Sequence, residues 1–363
     1  MKKNIKVLMV GSDTSVKGGM TTVVQSFLNY SKNSNFKLMF IPTHIETDSQ
    51  MKKISFFLSG LLSIFFQLLF NRVDIVHMHM SERGSFSRKF IIFKLSKLFN
   101  KRVITHTHGA EFKEYYNESN SKVQSNIRKL LKESDKVITL GENWNDIIKS
   151  IEPQTKTLIL RNSVILPKKI NTLNSQEINV LFLAVLINRK GIIDLINSSY
   201  KVIKELEKEG KSIKFLIAGD GPLLESSINL TKELGIAENF EFLGWIDVNQ
   251  KEQLLTKTDL FVLPSYNEGL PLSILEALSY GIPVVSTHVG SVNEAVIDGK
   301  NGFLINPGNV ESLSKSMLNI LQSNDFQEMG RQSRLLAEDH FNSEKYFEII
   351  EDLYASLMNT KNI

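Results

Sequence analysis

The stretch Tyr266-Asn267-Glu268-Gly269-Leu270-Pro271, followed by Glu276 and then by Tyr280-Gly281-Ile282-Pro283-Val284-Val285-Ser286-Thr287, decides how this chain is read. Eight steps of about 100° leave two carboxylates roughly 80° apart in azimuth and two turns apart in height, so on a helix they share a side. Glu268 stands before a Gly and a Pro, which suits a tight loop feeding a helix. The first turn of that helix offers amide NH groups to an anion. One carboxylate can then face a sugar while the other faces a point further along the same ligand, the layout of a nucleotide sugar.

Outward from this stretch, short apolar segments rich in Val and Ile alternate with helical patterns. Ile5 to Val10, Leu38 to Pro42, Ile75 to Met78, Val103 to Thr107, Lys136 to Leu140 and Thr157 to Leu160 form one set. Asn179 to Ala184, Lys214 to Ala218, Phe240 to Phe242, Leu260 to Leu263, Val284 to Thr287 and Phe303 to Ile305 form a second. Such alternation predicts parallel strands with crossover helices, hence two doubly wound α/β sheets. The polar stretch Pro167 to Gln176 reads as the linker. The expected domains are residues 1–168 and 175–342, with a terminal helix in 343–363. At 363 residues the chain is long enough for two cores.

The ordered motifs Gly18-Gly19, His77-Met78-His79, His108-Gly109-Ala110-Glu111, Arg189-Lys190-Gly191, Gly219-Asp220-Gly221-Pro222, Glu268 with Glu276, and Gly290-Ser291 to Glu294 cover most of the chain. Together they resemble the retaining GT-B glycosyltransferases, specifically glycosyltransferase family 4. The resemblance implies two Rossmann-like domains facing a central cleft. It also implies a terminal helix crossing back to the first domain, and transfer with retention of anomeric configuration.

A nucleotide diphosphate sugar needs a grip on the nucleoside, neutralisation of the diphosphate and a polar cage around the sugar. Arg189 and Lys190 follow a strand and precede a helix starting near Gly191, so their charges add to the helix's positive end at the leaving phosphate. The family's usual Gly-Arg pair is Ala184-Val185 here, and Arg189 is expected to substitute for the missing arginine. Glu268 would accept hydrogen bonds from sugar hydroxyls, helped by amides near Gly269 and Leu270. Glu276 would bind the ribose, as the resemblance implies. Gly18 and Gly19 form a loop whose backbone can approach the diphosphate. Gly219 belongs either to a plain strand-to-helix turn or to a close approach of backbone to nucleotide. His108 matches the family histidine that contacts the transferred sugar, and His79 is expected beside it on the acceptor or phosphate side. The expected catalytic residues are therefore His108 and Glu268. No Asp-x-Asp pair is present to hold a divalent ion, so neither metal nor cofactor is expected.

The net charge of +4 conceals an asymmetry, with about 27 Lys and Arg against about 13 Asp and Glu up to Lys169, and about 16 against about 26 beyond it. The basic half is the one expected to meet an anionic surface. Ile54 to Phe70 carries no charge and has about 17 residues, at the low edge of a bilayer span. It lies between strands of one sheet, so it reads as a helix buried on one side and facing lipid on the other. In the next helix, Phe86 to Arg102, Ile91, Ile92, Leu95, Leu98 and Phe99 gather on one side. Phe90 and Phe93 are expected among Lys94, Lys97 and Lys101 on the other, a pattern suited to anionic lipid. No cysteine occurs, which favours a reducing compartment. The N-terminal apolar run is too short for a signal peptide and reads as a first strand.

These features converge on an enzyme moving a hexose or N-acetylhexosamine, from a donor expected to be uridine-linked, to a lipid-linked or polysaccharide acceptor. Its place would be the cytoplasmic face of a bacterial membrane, in capsule, exopolysaccharide or O-antigen assembly, with no nucleic-acid partner. The alternative is a non-catalytic glycosyltransferase-like subunit that binds a glycan or protein, favoured by the arginine missing at Val185. A dehydrogenase ranks below both readings, because the first strand is not followed by a Gly-x-Gly-x-x-Gly turn.

Overall fold

Each half of the chain turns its short β-branched segments into parallel strands covered by helices. A computed structural model describes residues 5–168 and 177–359. By contacts the chain divides into unit 1, Met1–Arg161 with Glu344–Ile363, and unit 2, Asn162–Ser343. Residues 162–168 thus pack with the second unit, and most of the polar stretch 167–176 lies outside the described residues.

The strands of unit 1 are β1 (Ile5–Gly11), β2 (Phe36–Pro42), β3 (Ile75–Met80), β4 (Arg102–Thr107), β5 (Lys136–Thr139) and β6 (Thr157–Ile159). They lie in the order β2-β1-β3-β4-β5-β6, all parallel. Its helices are α1 (Gly19–Tyr30), α2 (Gln50–Phe70), α3 (Gly84–Leu98), α4 (Phe112–Glu118), α5 (Ser121–Glu133) and α6 (Glu142–Ile151). Side chains close several helix starts: Ser49 Oγ accepts from Lys52 N, and Asn120 Oδ1 accepts from Val123 N.

In unit 2 the strands are β7 (Glu177–Leu183), β8 (Ser212–Ala218), β9 (Phe240–Gly244), β10 (Leu260–Leu263), β11 (Val284–Thr287) and β12 (Gly302–Ile305). Their order is β12-β11-β10-β7-β8-β9, again all parallel. The helices are α7 (Ile192–Lys208), α8 (Leu224–Glu233), α9 (Val248–Lys257), α10 (Leu272–Ser279), α11 (Val310–Leu321) and α12 (Phe326–His340). A last helix, α13 (Ser343–Asn359), packs in unit 1 from Glu344 onward. There Phe347 stacks on Tyr30 at 4.1 Å, and Tyr354 is fully buried. All twelve segments that the alternation assigns to strands are strands.

Two expectations need correction. Helix α10 begins at Leu272, so Glu268 lies in the loop before it and the shared-helix geometry with Glu276 does not apply. Helix α3 buries Phe86, Lys89, Phe90, Ile92, Phe93 and Ser96 and leaves Ile91 and Leu98 outside. Phe93 is 1 % exposed, so neither Phe90 nor Phe93 forms part of a lipid-facing side, and Lys97 is held by Asp135 at 2.8 Å. The physical reason is that α3 packs on β3, β4, α2 and α5. An angular wheel resolves one apolar stripe, whereas several neighbours bury a wide arc.

Candidate functional site

A doubly wound sheet binds its ligand beyond the carboxyl ends of the strands, where the strand order reverses. In unit 2 that point lies between β7 and β10, so the loops 184–191 and 264–271 meet there. Leaving β7, the chain makes a tight turn over Asn188–Lys190 and enters α7 at Gly191, whose φ is +72°. A Cβ at Gly191 would lie 2.1 Å from the Pro264 carbonyl oxygen, so only glycine permits both this conformation and this approach. Tyr266 N donates to Arg189 O at 2.8 Å, and Arg189 Nη1 donates to Asn267 O at 3.3 Å. Between these contacts Lys190 Nζ meets Glu268 Oε1 at 2.5 Å, and Ser265 Oγ donates to the same oxygen at 2.8 Å. Glu268 is 6 % exposed.

A third loop braces this arrangement from behind. At Gly290 (φ +55°) a Cβ would stand 2.0 Å from the carbonyl oxygen of Glu268. Ser291 N donates to Gly269 O, and Asn162 Nδ2 donates to Leu270 O, each at 2.8 Å. Gly269 and Leu270 are thereby fixed through their carbonyls beside Glu268. Further on, Glu276 of α10 is paired with Lys251 Nζ of α9. Burial pushes the Glu276 carboxyl above its ordinary value, and Lys251 opposes that rise. The turn after β8 packs on the one after β7: a Cβ at Gly219 would lie 1.9 Å from Ala184 O, and Leu186 N donates to Asp220 O at 2.9 Å. Gly219 is therefore required by the neighbouring turn.

In unit 1 the strand order reverses between β1 and β3. Gly18, at φ +147°, caps the N-terminus of α1 with nothing within 4 Å of where its Cβ would be, and Gly19 is the first residue of that helix. His77 and His79 point to one face of β3, and His79 is in register with His106 on β4, with His108 two residues beyond. The four imidazoles form a stack. His79 Nδ1 and His108 Nε2 are 2.9 Å apart, and His77 Nδ1 lies 2.7 Å from the Tyr354 hydroxyl of α13. His77, His79 and His106 are fully buried, whereas His108 is half-buried. His79 therefore has no surface to offer a ligand; it holds His108, which corrects its expected place as a contact on the acceptor or phosphate side.

Burial lowers the His77 and His108 imidazoles to about 3 and holds His79 and His106 well below the usual range. Nitrogens of His77, His79 and His106 come within 4.8 Å of one another. The His77 and His79 rings, however, are parallel to within 7° and stacked at 4.9 Å. A ring nitrogen binds a metal in its own ring plane, so these lone pairs run side by side rather than converging.

Sequence reasoning missed Ser265, Lys251, Lys89, His106 and Tyr354, and it quoted His77 within a motif without giving it a role. The spacing of His77 with His79, and of His106 with His108, is the period-two signal that would have found the stack. Lys89, fully buried, donates to Thr43 Oγ1 at 2.9 Å, and burial brings its ammonium down to about 7. Nothing in the local sequence marks Lys251 as the partner of Glu276, because that contact joins two helices 25 residues apart.

Residues 166–334 match the family model described as "Glycosyl transferases group 1". Among curated proteins, the chain is 28 % identical over 320 residues to the "uncharacterized 41.2 kDa protein in cps region" of Klebsiella pneumoniae, covering 80 % of this chain and 84 % of that one. It is 26 % identical over 353 residues to the UDP-Gal:alpha-D-GlcNAc-diphosphoundecaprenol alpha-1,3-galactosyltransferase of Escherichia coli, covering 91 % and 86 %. Among solved structures, it superposes on sucrose-phosphate synthase from Thermosynechococcus elongatus with a TM-score of 0.81 at 16 % identity, covering 98 % and 99 %. Anabaena HepE in complex with UDP-glucose gives 0.75 at 17 %, covering 97 % and 100 %. At these identities the structural likeness shows the fold.

Proposed function

For this chain, a glycosyltransferase of the GT-B fold, we propose retaining, family 4 chemistry. A hexose or N-acetylhexosamine would pass from a UDP-linked donor to a lipid-linked saccharide during surface polysaccharide synthesis. The observation that carries this reading is the Lys190–Glu268 pair at the switch point of unit 2, a cation and a carboxylate in contact beyond the positive end of α7. A sugar joined to a phosphate would part them. Lys190 would turn to the phosphate while Glu268 accepted a hydroxyl of the sugar, each exchanging one charged partner for another polar one at little desolvation cost.

Glu276, already neutralised by Lys251, would take the ribose hydroxyls. Arg189 would stiffen the 266–267 turn as well as face the diphosphate. His108, oriented by His79, would meet the transferred sugar as a neutral imidazole, and Gly18 with Gly19 would admit the diphosphate against backbone amides. The leaving diphosphate would be stabilised by these fixed positive groups without a metal ion, and activity is expected to persist in chelator.

Support for the donor comes from HepE, solved with UDP-glucose. Support for the acceptor comes from the Escherichia coli relative, whose name gives a diphosphoundecaprenol-linked substrate, and support for the pathway comes from the cps-region relative. With a lipid-linked acceptor the protein would work at the inner face of the cell membrane, attached peripherally. The test is a panel of nucleotide sugars against lipid-linked acceptors, with the anomer of the product read by NMR. Transfer from a UDP-sugar with retention is expected. Inversion, or transfer only from a donor with another base, would overturn the corresponding part.

A further inference from the structure

Helix α2 is dominated by Ile, Leu and Phe, with Ser55, Ser59, Ser63 and Gln67 interspersed, a composition found in helices inside a protein core or in contact with lipid. Yet only 17 % of its most apolar stretch is buried within the molecule. Met51, Ile54, Leu58, Leu62, Phe66 and Phe70 recur every three or four residues and lie within an arc of about 160° at about 100° per residue. Met51 is 81 % exposed and Phe70 73 %. The opposite side is committed to the protein: Ile64 and Leu68 are buried, and a Cβ at Gly60 would stand 2.8 Å from the Pro42 carbonyl. Because α2 connects β2 and β3, which lie in one sheet on either side of β1, it cannot leave that sheet to cross a bilayer.

The charges around the stripe indicate what covers it. No Asp or Glu occurs from Ser49 to Arg72; Lys52 and Lys53 stand at the first end of the helix, whereas Arg72 beyond the other end pairs with Asp74 at 3.6 Å. Beside α2 lies α3, with Phe65 against Phe99 at 5.7 Å. From Gly84 to Arg102 that segment also has no acidic residue, and Lys94 on it is exposed. A second copy of the chain laid on this face by a two-fold axis would bring like-charged rims together. An anionic lipid surface complements both the stripe and its rim.

We propose that α2 is the surface by which the protein docks on an anionic bilayer, lying in the plane of the interface with its stripe among the acyl chains. This deepens the reading of a lipid-linked acceptor and rests on it for its purpose; it replaces the expected docking through Phe90 and Phe93 of α3. The experiment is co-sedimentation of the full chain with vesicles of phosphatidylcholine alone or mixed with phosphatidylglycerol. Three proteins are compared: wild type, Leu58→Ser/Leu62→Ser/Phe66→Ser, and Lys52→Glu/Lys53→Glu. Circular dichroism checks the fold, gel filtration the mass, and UDP binding the integrity of unit 2.

Wild type is expected to sediment with the anionic vesicles. The serine variant should lose about tenfold or more in partitioning, and the charge variant should lose a similar amount on anionic vesicles only. Wild type left in the supernatant, or variants that sediment equally well, would overturn the proposal. So would a dimer of the wild type that the serine variant dissolves to monomers, since a second copy would then cover the face. UDP binding without vesicle binding would sink the docking surface and leave the donor reading standing. Vesicle binding without UDP binding would do the reverse.

Discussion

Glu268 and Lys190 come from loops 78 residues apart and meet at 2.5 Å, and each limits what the other can do alone. Glu268→Gln preserves shape and one acceptor oxygen but removes the charge. Under the proposed role it should lower kcat/KM by about 2 to 4 kcal/mol of transition-state stabilisation with a nearly unchanged melting temperature. Near-normal turnover would remove Glu268 from the sugar site. Lys190→Met should weaken UDP more than uridine, because the lost contact is to phosphate. Calorimetry with both ligands checks this, and equal weakening would mean that Lys190 serves only to hold Glu268. The identity of these residues was legible from the motif, but their contact was not. A sequence carries no register between a loop after β7 and a loop after β10 until the sheet order places those strands side by side.

At the scale of elements, strands were legible nearly to the residue, because parallel strands buried on both faces are written as unbroken apolar runs. Helix faces were less so. Phe90 and Phe93 sit beside lysines in the sequence, and an angular reading sends them outward, yet α3 is enclosed by neighbours on several sides. Phe93→Ser should therefore destabilise unit 1 by about 3 to 5 kcal/mol, through lost burial and a cavity, and leave surface binding unaltered in whatever protein folds. Urea unfolding followed by circular dichroism measures it; a change within about 0.5 kcal/mol would mean that the ring is not in the core. The stack of four histidines was half legible. Its residues appear in two period-two pairs, but the coupling to Tyr354 depends on a helix 277 positions away.

For the whole molecule, that stack sets a dependence on pH. The folded His77 imidazole titrates at about 3, below its unfolded value of about 6.5. Its stabilising effect is thus complete above about pH 6.5 and is lost as the pH falls towards 3, because the unfolded chain takes up the proton first. Between pH 6.5 and 5 this one residue should remove about 2 kcal/mol, with His108 adding in the same direction. Thermal melts across that range should fall steeply in the wild type and less steeply in His77→Leu. A flat wild-type profile would contradict the burial of the stack. The tie from His77 to Tyr354 also has a consequence in time. At roughly 5 to 20 residues per second of synthesis, the partner of His77 emerges on the order of 15 to 55 s after it. Throughout that interval Phe27, Tyr30 and the histidine face of β3 stand uncovered while the whole of unit 2 is being made. The first half to leave the ribosome is thus the last to be finished, and the nascent chain has its longest exposure to chaperones and proteases where α13 will eventually lie.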